Sequence, residues 1–286
     1  MQAIAKDVYI EDQYPGVTLG AIHLPHGLIQ IDAPPSPEDG RAWRAALLNL
    51  GGSGERLLVN LDAHPDRTVG ARLMDCTVIA HEKTAQVFRN RPAAFKLPGE
   101  ETGADWERLV NPSNVRWALP EISFSHQMEI YWSEAPVLLE HHPGPTAGAI
   151  WASAVEARVV FVGDAVVQGQ PPFLASANLT AWLEGLKLLL SAEYRGWLVV
   201  SGRGGLAAVE AIRAQRDYLQ QIGEKLEKLA AKKSPPEAIE SLLPGLLSDF
   251  KASAAQQVQF TQRLRYGLRQ YYIRHYHPSA GVGEEE

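Results

Sequence analysis

An apolar run that breaks abruptly into a polar loop is the feature that most constrains this chain. Residues 57–61 form an apolar run of alternating character, which is typical of a buried strand. Asp62, His64, Asp66 and Arg67 follow within six positions. Because a sheet holds the base of such a loop rigid, chemistry is often placed there. The stretch therefore predicts a site that holds a metal ion or a cluster of charges.

The polar loop resembles the signature loop of the metallo-β-lactamase fold. The family pattern is His-x-His-x-Asp-His, and its side chains hold two metal ions. The matching positions here are Asp62, His64, Asp66 and Arg67. Two of the four differ from the pattern, and a guanidinium has no lone pair with which to ligate a cation. The resemblance therefore raises the question of whether this site binds metal at all.

Three further segments resemble the family's motifs, and together they extend the resemblance over residues 16–205. The first matches Pro-Gly-His-Thr-x-Gly but has Pro145 where the ligand histidine stands. The second, a Gly-Asp segment, keeps Asp164, which bridges both metals in the family. The third, Gly-His-Gly, has Arg203 in place of its histidine. The resemblance implies an α/β fold, a four-layer αββα sandwich, in which four of seven ligand positions have changed.

The first of the two metal positions keeps three candidate ligands if the resemblance holds, namely Asp62, His64 and Asp164. Three protein ligands plus a water are a workable catalytic count, and one divalent ion of Zn, Mn or Fe suits such a set. In this alternative the chain is a mononuclear metal-dependent hydrolase. The family implies esters, thioesters or lactones as substrates, and Asp66 would take the proton of the attacking water.

The second metal position favours a different interpretation, because Arg67 and Arg203 would lie there beside Asp66 and Asp164. At an effective dielectric of about 20, two like unit charges ~4 Å apart repel by roughly 4 kcal/mol. We therefore expect no cofactor and a non-catalytic protein, in which both arginines bridge these carboxylates in a salt-bridge cluster. The same two arginines, beside a Gly-rich turn that precedes a helix, are candidates for binding a small anionic ligand.

Asp32 ends a short apolar strand, and two interpretations of it stay open. It matches an acidic residue that braces the metal loop in the family. It also stands before Ala33-Pro34-Pro35, where an aspartate is an ordinary turn former.

Alternation of strands and helices predicts an α/β layered core. The first part has predicted strands at 8–10, 17–24, 28–32, 57–61 and 76–80, with helices at 37–49 and 84–90. Four closely spaced strands at 122–132, 137–141, 149–152 and 159–162 predict a second, mainly antiparallel sheet. A helix capped by Asn178 or Thr180 then runs to Tyr194, and 197–200 is the last predicted strand.

The chain changes character after residue 205, which predicts two parts. Residues 1–205 form the metallo-β-lactamase-like domain, and 206–286 form a helical C-terminal extension with helices at 206–232, 235–250 and 251–276. Apolar residues recur there every three or four positions, so this extension packs on the core or at a subunit interface. The second case predicts a homodimer through the C-terminal helices.

Composition narrows the classes of function and partner. The net charge of −6 argues against a nucleic-acid surface. Cys76 is the only cysteine, so no internal disulfide forms, which suits a reducing cytoplasm. The start of the sequence has no secretory pattern, and the apolar runs are too short to cross a membrane. We therefore expect a cytoplasmic protein with no nucleic-acid or membrane partner.

Overall fold

Two β-sheets that face each other form the centre of the computed structural model, which describes residues 1–51, 54–91, 101–108 and 116–277. The first sheet has seven strands in chain order: β1 (Gln2–Ala5), β2 (Val8–Glu11), β3 (Leu19–Leu24), β4 (Gly27–Ile31), β5 (Glu55–Val59), β6 (Thr77–His81) and β7 (Ile122–Phe124). Neighbouring strands are antiparallel from β1 to β4 and parallel from β4 to β7.

The second sheet has six strands: β8 (Gln127–Ile130), β9 (Val137–His141), β10 (Ile150–Ala154), β11 (Val159–Phe161), β12 (Leu198–Val200) and β13 (Leu206–Ala207). Their order across the sheet is β13-β12-β11-β10-β9-β8. Only β11 and β12 pair in parallel; the other pairs are antiparallel, as the sequence predicts for this sheet.

Helices lie outside both sheets, and four of the seven described helices begin at a side-chain cap. They are α1 (Pro37–Leu48), α2 (Pro65–Thr68), α3 (Glu82–Asn90), α4 (Leu179–Leu189), α5 (Val209–Ala231), α6 (Leu243–Leu247) and α7 (Ala254–Tyr276). Short 3₁₀ turns cover Ala71–Met74, Asp105–Arg108, Gly163–Ala165 and Pro236–Leu242. Ser36 caps α1 and Ser253 caps α7 with side-chain oxygens that accept backbone N–H groups. Of the two predicted caps for α4, Asn178 is the one that bonds to the helix, through Ala181 N.

Three apolar cores lie between the layers of the fold. The core between the sheets takes side chains from both, for example Ile29 and Val59 from the first sheet and Leu139 and Phe161 from the second. Helix α1 covers the outer face of the first sheet through Trp43. Helices α4, α5 and α7 cover the outer face of the second sheet in one buried cluster. The order helix, sheet, sheet, helix confirms the predicted αββα sandwich.

The predicted strand at 122–132 is wrong in one respect, because the structure divides it between the two sheets. Ile122–Phe124 pairs with β6 in the first sheet, and Gln127–Ile130 pairs with β9 in the second. Phe124 and Ile130 nevertheless both point into the core between the sheets. The alternation of apolar residues therefore continues while the chain crosses from one sheet to the other.

The chain after residue 205 also differs in detail from the prediction. Leu206–Ala207 is a short strand rather than the start of a helix, and it pairs with β12. The predicted helix at 235–250 is a 3₁₀ segment followed by the single short helix α6. Helices α5 and α7 add Leu219, Ile222 and Leu264 to the core over the second sheet. The domain boundary at residue 205 stays a prediction.

Candidate functional site

The loops that follow two parallel strand pairs meet at one edge of the sandwich. Strands β4 and β5 lead to Asp32 and Asp62, and strands β11 and β12 lead to Asp164 and Arg203. Because parallel strands end at the same edge of a sheet, each pair delivers its two side chains to one place. Residues far apart in sequence are therefore brought together.

Gly202 allows the two loops of the second sheet to touch. Its N–H donates to the carbonyl of Gly163 at 2.7 Å. A Cβ at this position would lie 2.5 Å from an Asp164 carboxylate oxygen and 2.5 Å from the Gly163 carbonyl carbon. No other residue leaves room for this approach, which is the physical reason for glycine in the segment that carries Arg203.

Arg67 is completely buried and reaches three carboxylates. Its Nη1 donates to Asp32 Oδ2 at 2.7 Å, its Nε lies 3.1 Å from Asp62 Oδ1, and its Nη2 pairs with Asp164. The planar guanidinium presents donors in fixed directions, so a single side chain serves all three acids.

Asp32 fulfils both interpretations that the sequence leaves open. Its backbone φ of +58° turns the chain at the end of β4. Its carboxylate also accepts the Leu61 N–H at 2.9 Å while holding Arg67. The residue thus turns the chain and braces the loop that follows β5.

Arg203 forms the second centre of the site and is 2% exposed. Its Nη2 donates to Asp66 Oδ2 at 2.9 Å and its Nη1 to Asp105 Oδ2 at 2.8 Å. Its Nε and Nη2 each lie 3.3 Å from an oxygen of Asp164, which makes this pair bidentate. The predicted salt bridges of Arg203 to Asp66 and Asp164 are therefore present. Arg67 forms the predicted salt bridge to Asp164 and, in addition, contacts Asp32 and Asp62.

Asp105 and Arg263 complete the site and were not predicted from the sequence. Arg263 on α7 donates to Asp105 Oδ2 at 3.1 Å and to the Gly103 carbonyl at 3.0 Å. Gln259, one turn earlier, donates to Asp105 Oδ1 at 2.7 Å. The only sequence signal is a charged residue, Arg263, at an apolar position of the α7 repeat.

We call the following residues the charge cluster: Asp32, Asp62, His64, Asp66, Arg67, Asp105, Asp164, Arg203 and Arg263. Phe173 covers it, with its ring centre 5.4 Å from the guanidinium carbon of Arg203, 4.6 Å from that of Arg263 and 5.5 Å from the His64 ring. Cations over an aromatic face are attracted to it. The Phe173 ring therefore separates the side of the cluster formed by Arg203, Arg263 and His64 from solvent.

His64 supplies a further positive charge. Its Nδ1 lies 3.1 Å from Asp62 Oδ2 and 3.1 Å from Asp164 Oδ2. Burial disfavours the charged imidazolium, but the two carboxylates outweigh it and raise the pKa of His64 to about 9. At neutral pH the imidazole is therefore protonated and donates to a carboxylate.

Burial raises the pKa of each of these carboxylates, whereas the neighbouring cations lower it. Burial would raise the pKa of Asp164, but Arg203 and Arg67 hold it well below its usual range. For Asp66 burial dominates and raises the pKa although Arg203 opposes it. Burial likewise raises the pKa of Asp32 to about 6 against the effect of Arg67. The acid predicted as a proton acceptor, Asp66, is thus already bonded to a permanent cation.

Asp62, His64 and Asp164 are the group with metal-ligand geometry among the described residues, with ligand atoms all within 4.8 Å of one another. Both acids already face cations, because His64 and Arg67 each contact both of them. A cation placed among them would also face the buried guanidiniums of Arg67 and Arg203. The donor set therefore does not suit a metal ion unless these arginines move.

Comparison with known proteins places the fold in a family. The family model described as the metallo-beta-lactamase superfamily matches residues 71–218, slightly more than half of the chain. This chain belongs to the metallo-beta-lactamase superfamily. The matched range contains Asp164 and Arg203 and begins just after Arg67, so the altered signature loop lies outside it.

Solved structures of this superfamily are similar in fold. A metallo-beta-lactamase from Pontibacter korlensis has a TM-score of 0.59 and 17% identity, over 77% of this chain and 97% of that one. The DIM-1 metallo-beta-lactamase exposed to ceftazidime has a TM-score of 0.59 and 13% identity, over 77% and 95%. A double mutant of the sec-alkyl sulfatase PisA1 has a TM-score of 0.65 and 14% identity, over 95% of this chain but 49% of that one.

No curated protein matches the sequence. In the parts of the chain that the structure describes, none of the helices combines the length and the apolar character needed to cross a lipid bilayer.

Proposed function

We propose that this protein is a non-catalytic, metal-independent member of the metallo-beta-lactamase superfamily, in which the charge cluster occupies the place of the metal centre. The observation that carries the proposal is the environment of Asp164. Both of its carboxylate oxygens are paired with Arg67, Arg203 or His64, and it is 2% exposed. A carboxylate that bridges two metals needs those lone pairs for the metals.

Charge supports the same conclusion. Arg67 and Arg203 are permanent cations and cannot lose a proton to make room for a divalent ion. At an effective dielectric of about 20, each unit pair of like charges ~4 Å apart costs roughly 4 kcal/mol. Moving Arg67 aside would in turn take the guanidinium away from buried Asp32 and leave Asp62 with His64 as its remaining cation among the described residues.

A second candidate is a mononuclear metal-dependent hydrolase of esters, thioesters or lactones. The close approach of Asp62, His64 and Asp164 favours it. A divalent ion there would supply Lewis acidity toward a water nucleophile. This candidate requires His64 to be neutral and the two arginines to leave Asp164, and it requires Asp66 to act as a base while it is paired with Arg203.

Metal analysis combined with thermal melts distinguishes the two candidates. We expect dialysed protein to hold no stoichiometric Zn, Mn or Fe, and its melting temperature to be unchanged by chelator or by added Zn or Mn. A metal at 100 times its dissociation constant stabilises a folded protein by about 2.7 kcal/mol. A shift of that size, lost in His64→Ala but kept in the control His26→Ala at an exposed histidine, would show a bound metal and contradict the metal-independent assignment.

Two expectations from the sequence are kept as part of the proposal. The first is self-association through the C-terminal helices, which sedimentation of the full chain at several concentrations would test. The second is recognition of a small anionic ligand. The carboxylates already take the guanidinium nitrogens of Arg67 and Arg203, so binding of an anion by these two arginines would require them to exchange partners.

A further inference from the structure

His64 of the charge cluster also lines a cavity of about 480 Å³. Its walls come from the loop after β5, helix α3, the turn before β10, the segment before α4 and the end of α7. Lys83, Arg91 and Arg274 line it, and none of the aspartates and glutamates that the structure describes does. We call it the basic cavity. It differs from the charge cluster in having permanent cations without carboxylates.

Arg91 has a buried donor with no acceptor. Its Nη2 donates to the Ala63 carbonyl at 2.8 Å, and its guanidinium carbon lies 4.6 Å from the Trp117 ring centre and 5.1 Å from that of Phe88. These contacts fix the guanidinium in place. Its Nη1 is buried and makes no hydrogen bond within the described part of the chain. Such a donor costs about 1–3 kcal/mol, and more when it is charged. Because this nitrogen is fully covered, a bound acceptor reaches it only when the wall of the cavity shifts.

Thr146 supplies a second donor of the same kind from a different element. Its Oγ1 is buried and has no hydrogen-bond partner among the described residues, and the residue is 9% exposed. Thr146 lies in the turn before β10, on the wall of the same cavity. Two unpartnered buried donors therefore belong to separate walls of the cavity, and each would gain an acceptor if a ligand displaced the atoms that cover it.

Lys83 and Arg274 add charge at the exposed rim of the cavity. Lys83 is in the first turn of α3 and is exposed. Arg274 on α7 donates to the carbonyls of Ala177, at 2.7 Å, and of Ala175, so its charge is not neutralised by these contacts. With Arg91, the cavity therefore carries three permanent positive charges. A doubly charged ligand matches this excess better than a single carboxylate.

We propose that the basic cavity binds a small phosphate monoester, with its phosphoryl oxygens toward Arg91, Thr146, Lys83 and Arg274. A phosphoryl group has three terminal oxygens, so it can accept hydrogen bonds from several walls at once. Val87, Ala63 and Ala177 line the rest of the cavity and provide an apolar surface for the organic part of the ester. The proposal goes beyond the metal-free function, since it uses neither Arg67 nor Arg203.

Calorimetric titration of the full chain with phenyl phosphate tests the proposal. We expect saturable binding of phenyl phosphate, with inorganic phosphate and benzoate each binding at least tenfold more weakly. Lys83→Gln and Arg274→Gln should each weaken binding about tenfold. Arg89→Gln removes a positive charge from an exposed position of the same helix, outside the cavity, and should change the affinity less than twofold.

Other outcomes would overturn the proposal. They are no binding at millimolar phenyl phosphate, tighter binding of benzoate than of phenyl phosphate, or an equal loss in Arg89→Gln and Lys83→Gln. Arg91→Met should abolish binding if its circular dichroism shows it folded, and retained binding in a folded Arg91→Met would also contradict the assignment. Lys83 is exposed, so its variant remains informative even where Arg91→Met does not fold. Phenyl phosphate binding is independent of metal content, so this test can fail while the metal-free assignment stands.

Discussion

The charge cluster and the basic cavity use the same residue type in opposite ways. In the charge cluster, Arg67 and Arg203 each contact three carboxylates and are shielded from water. In the basic cavity, Arg91 contacts a carbonyl and two aromatic rings and forms no ion pair with a carboxylate of the described residues. His64 lines both regions, so the difference arises over a short distance.

We infer from this difference that a guanidinium at a position of the family's metal motif need not be a ligand-binding group. A buried arginine that carboxylates surround contributes to folding, because removing it strands several charges. A buried arginine without a carboxylate keeps its positive charge uncompensated, which attracts an external anion. Function is therefore expected where the acids are absent rather than where the family motif lies.

Helix α7 links the two regions, since it contributes Arg263 to the charge cluster and Arg274 to the basic cavity. Eleven positions separate them, which is about three helical turns, so both side chains leave the same face of the helix. The C-terminal extension thus completes both regions at once.

The largest expected effect is the loss of stability in Arg67→Met. This substitution keeps the apolar volume but leaves Asp32, Asp62 and Asp164 without a shared partner, which should cost about 3–5 kcal/mol. Urea unfolding measures the free energy of unfolding. Arg44→Met is the matched control, because it breaks an ion pair with Asp75 in which the two side chains are 36% and 71% exposed.

The control should lose less than about 1 kcal/mol, as surface ion pairs do. If Arg67→Met is as stable as Arg44→Met, the charge cluster does not hold the fold together and the contrast with the basic cavity fails.

A smaller effect is expected from the paired variants of α7. Arg263→Met should cost about 2–3 kcal/mol, less than Arg67→Met, because Asp105 keeps Arg203 as a partner. Arg274→Met, at an exposed position on the same face, should cost about 1 kcal/mol and act mainly on phenyl phosphate binding. Equal losses of stability in the two variants would show that both arginines serve only to hold helix α7 against the rest of the fold.

The family motif explains which part of the site was predictable from the sequence. Asp62, His64, Asp66, Arg67, Asp164 and Arg203 were found because they occupy positions of a known pattern, and their charges alone suggested salt bridges. Asp105 and Arg263 occupy no such position, and 158 residues separate them in the chain. A contact over that distance depends on how α7 docks, which periodicity does not specify.

The fold was also predictable from patterns in the sequence, and the errors in the predicted strands and helices have physical causes. Alternating and helical repeats report which face is buried, but not against which neighbour. The break between β7 and β8 left no signal because both strands bury side chains in the same core. The strand Leu206–Ala207 is too short to interrupt the helical pattern that follows it.

The smallest effect concerns His142, which shows burial of a titratable group without a paired charge. Its ring stacks on Trp151 at 3.7 Å, and its Nε2 has no hydrogen-bond partner among the described residues. Burial, with a smaller contribution from His141, lowers its pKa to about 4. The unfolded chain takes up a proton at this residue near pH 6.5 while the folded chain does not. Stability from this group is therefore present above pH 6.5 and falls as the pH drops toward 4.

We expect this term to remove about 0.7 kcal/mol from the free energy of unfolding between pH 7 and pH 6. The measurement is urea unfolding at both pH values for the wild type, His142→Gln and the exposed-site control His26→Gln. The drop should be smaller in His142→Gln and unchanged in the control. His142 and the charge cluster then represent two separate ways of burying a titratable group, one by keeping it neutral and one by surrounding it with opposite charge. An identical drop in all three proteins would mean that His142 is as easily protonated in the folded chain as in the unfolded one.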